Sequence, residues 1–152
     1  MTIGHKPAAW IDEACSQYAL RLPKDWQIHW RELRAEPRTQ HGSAEQCMLR
    51  EAQRIETSLQ AGHYLLVALD ERGRRFNSLE FAAQCQQWHE QGDEPAFVIG
   101  GADGLHPSIR ERAKLVLQVS NMTLPHGLVK VVIAEQLFRA WSIVQQHPYH
   151  RA

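Results

Sequence analysis

Two continuous apolar runs constrain the fold of this chain more than any other feature of its sequence. They read YLLVALD from Tyr64 to Asp70 and AFVIGG from Ala96 to Gly101. A strand with one face in water alternates apolar and polar residues, whereas a strand covered on both faces is apolar throughout. The segment between them, residues 77–92, has the pattern of a helix capped by Asn77 or Ser78. The sequence therefore predicts a βαβ unit in a parallel sheet with helices on both faces.

The flanking segments continue this alternation of helices and strands. We expect helices over residues 7–21, from Ser43 onwards, over 107–115, and from about Leu128 to Gln146. The first shows Trp10, Ala14 and Tyr18 at helical spacing, and the second has a core stripe of Met48, Ala52, Ile55 and Leu59. Further strands are predicted over residues 26–33, where Trp26, Ile28 and Trp30 alternate with polar residues, and from Leu115 to Ser120.

Length and composition fit one domain over residues 1–152, because 43% of the 152 residues are hydrophobic. The absence of a long apolar run and of a leader-like start predicts a cytoplasmic protein without a membrane span. Three distant cysteines, Cys15, Cys47 and Cys85, are expected to be small buried side chains kept reduced.

Charge is unevenly distributed along the chain. Residues 1–104 hold 11 Lys/Arg and 15 Asp/Glu, a balance of −4, whereas residues 105–152 hold 6 and 2, a balance of +4. A basic C-terminal third favours a polyanionic partner such as RNA. Charge alone favours that interpretation no more than a simple gradient.

Three strand ends are candidates for a ligand site, because ligands of open α/β sheets bind outside the carboxyl ends of the strands. They are Leu69-Asp70, GGADG at 100–104 and SNMTLPHG at 120–127. Glycine lets the backbone approach a ligand closely. The spacing matches neither a Rossmann fingerprint nor a P-loop, and no Gly-x-Ser-x-Gly is present.

The chain ends in HPYHR, a tail rich in reactive side chains. Such a tail alone is more often a frayed end, and His147 with His150 makes a weak metal pair without further ligands. Together with His126 in the third loop, the tail indicates a function. The last helix is apolar nearly all round its first two turns at Leu128, Val132 and Ile133, which predicts burial against a partner subunit.

Three motifs resemble one known family: VIGGADGL (98–105), MTLPHGLVKVVIAEQLFRAWSI (122–143) and the terminal HPYHR. They are similar to the SPOUT-class RNA methyltransferases, in particular the ribosomal RNA large-subunit methyltransferase H family. The likeness extends from about Ile3 to the end of the chain. It implies an α/β fold with a mostly parallel sheet and a C-terminal trefoil knot, a threading that is rare among proteins.

The resemblance also implies a site and a reaction. S-adenosylmethionine would be held by Leu69, Gly100, Val119, Ser120, Asn121, Met122, Thr123 and Leu124. The implied reaction is N3 methylation of a pseudouridine in a large-subunit rRNA hairpin within the ribosome. The enzyme would be a homodimer in which the tail of one subunit completes the site of the other. No metal, DNA or membrane is implied.

In this reaction the pseudouridine N3 must lose its proton, and the residues leave open which group accepts it. His126 or Tyr149 would take the proton, directly or through water. Arg151 would stabilise negative charge on the base or grip a phosphate, and His150 is a weaker candidate for either role.

One departure from the family concerns the start of the chain. The family begins with a hydrophobic strand, whereas only Met1, Thr2 and Ile3 precede Gly4 here. We expect three residues to be too few for a useful strand, so that the natural start lies further upstream or the sheet is compromised. Two other functions stay open: a non-catalytic RNA- or ribosome-binding protein, and a different nucleotide-binding α/β enzyme.

Overall fold

The computed structural model describes residues 1–4, 7–38 and 43–151, without the side chains of His150 and Arg151. In that part of the chain, one parallel sheet has the strand order β2-β1-β4-β3-β5. Its strands are β1 (Thr2–Gly4), β2 (Glu32–Arg34), β3 (Tyr64–Arg75), β4 (Glu94–Ile99) and β5 (Leu115–Gln118). The helices are α1 (Ala9–Ala19), α2 (Ala44–Leu59), α3 (Ser78–Gln91), α4 (Pro107–Arg112) and α5 (His126–Val144). Short 3-10 helices cover Lys24–Trp26 and Pro148–Arg151.

Helices cover both faces of the sheet, which explains the continuous apolar runs. Ala68 and Val98 point to a core shared with α2 and α4. Val67 and Leu69 point to a second core shared with α3 and α5. Outside that layer, α1 packs on α5 through Ile11, Cys15 and Ala134. The predicted α/β class with a parallel sheet is confirmed, whereas the knot stays a prediction of the family resemblance.

The predicted helix caps are present. Ser43 Oγ accepts a hydrogen bond from the Gln46 N–H at 3.1 Å, and Asn77 and Glu80 form a reciprocal capping box. Cys15, Cys47 and Cys85 are free and buried, as expected. Burial raises the pKa of the Cys85 thiol to about 12, so this side chain stays protonated and unreactive at neutral pH.

The expectation that three N-terminal residues cannot form a useful strand is wrong. Thr2–Gly4 form β1 in the interior of the sheet, where Thr2 pairs with both Glu32 and Ile99. Ile3 is 1% exposed and belongs to the first core. Strands on both sides of β1 supply partners for its backbone N–H and C=O groups, which is why three residues are enough to form a strand here.

The predicted strand over residues 26–33 is also wrong. Lys24–Trp26 form a 3-10 helix, and only Glu32–Arg34 are in a strand. The physical reason is that β1 is the neighbour of β2 and offers pairing partners only for those three residues.

Several smaller expectations need correction. In α1 the buried face carries Ile11 and Cys15, while Trp10 is 56% exposed. α4 and β5 end earlier than expected, at Arg112 and Gln118, because the chain turns into the next loop there. α5 starts two residues earlier, at His126, directly after the helix-starting Pro125.

Candidate active site at the carboxyl edge of the sheet

The ends of three neighbouring strands meet at one edge of the sheet. Leu69 of β3 pairs with Ile99 of β4 on one side and with Leu117 of β5 on the other. Gly100 follows Ile99 directly, and Val119 lies two residues beyond Leu117. The structure therefore brings Leu69, Gly100 and the start of the 119–124 segment to the same edge.

The loop after β4 is a tight glycine turn. The Gly104 N–H donates to the Gly101 carbonyl at 3.0 Å, and Gly104 has a φ of +83°, which glycine adopts without strain. A Cβ on Gly100 would lie 2.5 Å from the Gly104 carbonyl carbon. Any side chain at Gly100 would thus displace the backbone of this loop.

A buried carboxylate on α2 supports the same loop from below. Glu51 is 2% exposed, and its Oε1 accepts hydrogen bonds from the Glu36 N–H at 2.9 Å and from Arg38 Nη1 at 2.5 Å. Arg38 also pairs with Asp103, inside the glycine loop, at 2.8 Å. The hydrogen bond to Glu51 is the main cause that raises the pKa of Arg38, which keeps the bridge charged.

Sequence reasoning missed Glu51, although a signal was present. It occupies the apolar stripe of α2, next to Ala52 and one turn before Ile55, where a charge requires a partner. Its Oε2 lies 2.9 Å from the position a Cβ on Gly101 would take. A side chain at Gly101 would therefore press on this carboxylate.

The loop after β5 is held by a chain of hydrogen bonds. Arg75 Nε donates to Gln118 Oε1 at 2.8 Å, and Gln118 Nε2 donates to the Ser120 carbonyl at 2.9 Å. The Ser120 hydroxyl in turn accepts the Met122 N–H at 2.9 Å. Asn121, Met122 and Thr123 are exposed, with Met122 at 74%, so this part of the loop is open to solvent.

A bulge in β3 lies beside this loop and was not predicted. Leu69 and Arg74 both pair with Leu117, so residues 70–73 leave the ladder between them. A Cβ on Gly73 would lie 2.6 Å from the Leu117 carbonyl carbon. The strand thus returns to β5 only because residue 73 is glycine.

His126 lies at the start of α5 and is exposed. It lines a cavity of about 420 Å³ together with Trp10, Ile11, Leu128 and residues of β1. Gly127 permits this arrangement, because a Cβ there would collide with Ile11 Cδ1.

Tyr149 packs back onto the helix that precedes it. Its hydroxyl donates to Glu135 Oε1 at 3.0 Å, and its ring meets the Phe138 ring edge-on at 4.7 Å. Desolvation, and next the hydrogen bond to Glu135, raise the pKa of Tyr149 to about 12. In this conformation Tyr149 is a hydrogen-bond donor at neutral pH.

A single chain does not bring His126 and Tyr149 together. Glu135, which holds the Tyr149 hydroxyl, follows His126 by nine residues of α5. Nine residues of a helix make about two and a half turns and extend about 14 Å. His126 and the Glu135 side chain that binds Tyr149 therefore lie on opposite sides of α5. The side chain of Arg151 lies outside the described residues, so its role stays a prediction.

Two further observations concern the described part of the chain. No group of three or more His, Cys, Asp or Glu side chains there could hold a metal ion. None of its helices is long and apolar enough to cross a membrane.

A family model described as a predicted SPOUT methyltransferase matches residues 1–150. The chain belongs to the SPOUT methyltransferase family. This confirms the resemblance carried by the glycine loop, the last helix and the tail, and it makes methyl transfer the class of reaction.

Curated relatives and solved structures agree with the family. Ribosomal RNA large subunit methyltransferase H of Cupriavidus taiwanensis is 47% identical over 154 residues, which cover 100% of this chain and 97% of the relative. The protein of the same name from Burkholderia multivorans is 49% identical, with the same coverage. A probable methylase family protein from Haemophilus influenzae matches with a TM-score of 0.58 at 14% identity, covering 97% of this chain and 67% of that one. At that identity the likeness supports the fold alone.

Proposed function

We propose that this SPOUT methyltransferase uses S-adenosylmethionine to methylate N3 of a pseudouridine in a large-subunit rRNA hairpin on the ribosome, in the cytoplasm. The observation that carries the proposal is the meeting of Leu69, Gly100 and Val119 at one sheet edge. The names of the curated relatives support the rRNA substrate.

The residues at this edge fit the proposed cofactor. The backbone of Gly100 lies so close to Gly104 that a Cβ has no room, which leaves main-chain groups as the contacts a ligand meets. Leu69 supplies a buried apolar surface. Residues 119–124 supply a loop, exposed at 121–123, that would close over the ligand. When bound, S-adenosylmethionine supplies a sulfonium methyl group that is electrophilic without further activation.

The protein's own task is to position the base and to remove the N3 proton. Reacting atoms must be held in line at about 3–3.5 Å. The raised pKa of Tyr149 keeps its hydroxyl protonated at neutral pH, where it cannot take up the N3 proton, so His126 is the better candidate for the base. Arg151 would then donate hydrogen bonds to the negative charge that develops on the uracil oxygens. Tyr149 would join it by turning its single O–H from Glu135 to the base.

The functional unit would be a homodimer. His126 and the contact of Tyr149 lie on opposite sides of α5, so the tail that completes a site must come from a second copy. Trp10 and Leu128, which line the cavity beside His126, are 56% and 37% exposed. Apolar side chains of this size next to a cavity are typical of an interaction surface.

Complementation between two inactive variants tests this arrangement. One variant carries Gly100→Ala with an intact tail, and the other lacks residues 148–152 but keeps an intact cofactor edge. Co-expressed, they would form heterodimers with one complete site and restore a substantial part of methyl transfer to ribosomes from a strain lacking the gene. A mixture as inactive as the separate variants contradicts a tail that acts across the dimer.

A further inference from the structure

The cavity beside His126 has the size and the lining of a site for a flat, partly polar ligand. Its volume of about 420 Å³ lies within the usual range of about 300–1,000 Å³ for ligand pockets. Among mainly apolar residues, its lining includes Thr2, Glu32, His126 and Lys130. A few polar groups in an apolar wall are what orients a ligand in such a pocket.

The cavity adjoins the proposed cofactor edge. Thr2 lines it and pairs with Ile99, the residue directly before Gly100. His126 follows closely on the 119–124 segment in the chain. A group in the cavity would therefore lie near both loops that are proposed to hold S-adenosylmethionine.

Two neighbouring strands turn polar side chains toward this cavity. Ile3 and Leu33 pack in the core shared with α2 and α4. Successive side chains of a strand point to opposite faces, so Thr2 and Glu32 face the layer that contains α5. These two residues are partners in the register of β1 and β2, and they lie side by side.

The carboxylate of Glu32 has an oxygen to spare. Its Oε1 accepts a hydrogen bond from Lys130 Nζ at 3.0 Å, while Oε2 accepts none from the described residues. The side chain is 38% exposed, so a ligand can reach it.

Lys130 fixes the position of this carboxylate. Its side chain is 3% exposed and also donates to Asp12 at 3.2 Å. Burial works against the charge of Lys130, but the hydrogen bonds to Glu32 and Asp12 outweigh it and raise its pKa. Glu32 is therefore an acceptor held in a fixed place.

The hydroxyl of Thr2 adds a second indication of a ligand. Its oxygen is buried and has no hydrogen-bond partner in the described part of the chain. Buried hydroxyls usually have a partner. A polar ligand beside Thr2 would supply one.

The polar groups of the cavity form a row. His126 and Lys130 are four residues apart on α5, so their side chains share one face of the helix. Lys130 in turn holds Glu32. The order His126, Lys130, Glu32 thus places a candidate base at one end and a free carboxylate oxygen at the other.

One edge of a pseudouridine carries a matching row of groups. The base is joined to its ribose through C5 and not through N1, so N1 carries a hydrogen. N3–H, the C2 carbonyl and N1–H follow one another around the ring. The N1–H is the donor that uridine lacks, and a carboxylate oxygen is a suitable acceptor for it.

The face of such a base would meet an aromatic side chain. Trp10 lines the cavity and is 56% exposed. Enzymes that modify a base turn it out of its stack, and proteins commonly hold a turned-out base on an aromatic ring.

We infer that this cavity takes up the target pseudouridine and that Glu32 selects it over uridine by accepting its N1–H. The inference rests on the proposed function and deepens it. With N3 turned toward His126, a uridine would present a C–H to Glu32 and leave that carboxylate without its partner. The tail of the second copy is the competing occupant of the cavity.

Two kinds of ribosome test the inference. Both come from cells that lack this gene, and one kind comes from cells that also lack the enzyme that isomerises the target uridine. The preference is the ratio of the methyl-transfer rates on the two kinds, measured in single turnovers with excess enzyme. The unchanged protein is expected to prefer pseudouridine by about a hundredfold. Glu32→Ala should lower this preference by about tenfold or more, chiefly through slower transfer to pseudouridine.

Asp12→Ala is the matched control, because Asp12 binds the same ammonium group but is not among the residues that line the cavity. It should keep the preference for pseudouridine. A purely structural role of the two carboxylates would slow both substrates alike in both variants. Glu32→Gln should recover part of the preference, because its amide oxygen can still accept the N1–H. The ratio of rates does not depend on the fraction of a variant that folds.

An unchanged preference in Glu32→Ala would overturn the inference, and it is also the result expected if the tail of the second copy fills the cavity. Equal rates of the unchanged protein on both kinds of ribosome would overturn it as well, while the proposed function would stand. An unchanged protein that is inactive on both kinds would refute the proposed function and the inference with it.

Discussion

Tyr149 and Glu135 are joined by a hydrogen bond of 3.0 Å, and the same Glu135 oxygen pairs with Arg139 at 2.7 Å. The tail is therefore supported by the helix that precedes it in the same chain. Arg21 adds a cation over the Phe138 ring, 4.0 Å from its centre, beneath the tyrosine. This support fixes Tyr149 on the side of α5 away from His126.

Tyr149→Phe separates the role of the hydroxyl from that of the aromatic ring. The variant keeps the packing on Phe138 and loses a hydrogen bond, so the free energy of unfolding should fall by only about 1 kcal/mol. Methyl transfer should fall at least tenfold while cofactor affinity stays unchanged, as measured by single-turnover kinetics and calorimetry. His126→Ala should lose more of the rate, and full activity of both variants would refute the proposed roles.

Gly100→Ala tests the glycine turn at the carboxyl edge. The new Cβ would lie 2.5 Å from backbone of Gly104, so the loop must move and cofactor affinity should drop at least tenfold. Gly4→Ala is the matched control, because a Cβ there meets no described atom within 4 Å. Calorimetric titration with S-adenosylmethionine measures both, and equal affinities would contradict the assignment of this loop.

Glu51→Gln tests the support beneath that loop. The charge-assisted bond to Arg38 is lost, which should cost about 1.5–3 kcal/mol in urea unfolding. Cofactor affinity should weaken as well, because Arg38 no longer holds Asp103 in place. Glu56→Gln on the same helix removes a more exposed pair with Arg112 and should cost less than about 1 kcal/mol. If Glu51→Gln behaves like this control, the carboxylate has no special role.

Leu128→Asp tests the surface beside His126. A charge in an apolar interface should dissociate the proposed dimer, detected as a halved mass in sedimentation, and abolish methyl transfer. Leu49→Asp places the same change at a similarly exposed leucine of α2, on the other face of the sheet. That variant should remain dimeric and active. If the Leu128→Asp variant is still a dimer, the interface does not include the surface beside His126.

The amino group of Met1 predicts a pH dependence of the 152-residue chain. Its pKa is lowered in the fold to about 6 from an ordinary 8, so the folded state binds this proton more weakly than the unfolded state. The corresponding stability is present above pH 8 and is lost as pH falls through 6. Urea midpoints between pH 5 and 8.5 measure the loss, and the same chain with an acetylated Met1 amino group should lack this part of it.

The sequence predicted what depends on neighbours along the chain. Ser43 and Asn77 marked the starts of their helices because capping is a local interaction, and the continuous apolar runs predicted the buried strands. Leu69 and Gly100 were placed at one edge because parallel strands end together.

What the sequence did not reveal depends on distant contacts. Lys130 is 2% exposed and bonded to Asp12 and Glu32, which lie 118 and 98 positions away, so no local pattern marks it. Trp10 was expected on the helical stripe, but Gly127 lets α5 approach Ile11 instead. The β3 bulge arises from the return of the strand to β5 through Gly73.

His126 and the Glu135 side chain that binds Tyr149 lie on opposite sides of α5. Under the proposed function this separation has a consequence for the cell. Only the dimer would be able to transfer a methyl group, because neither polypeptide has a complete site alone. At concentrations where the subunits are mostly apart, the amount of working enzyme grows with the square of the amount synthesised. A twofold change in expression would then alter the modification of new ribosomes about fourfold.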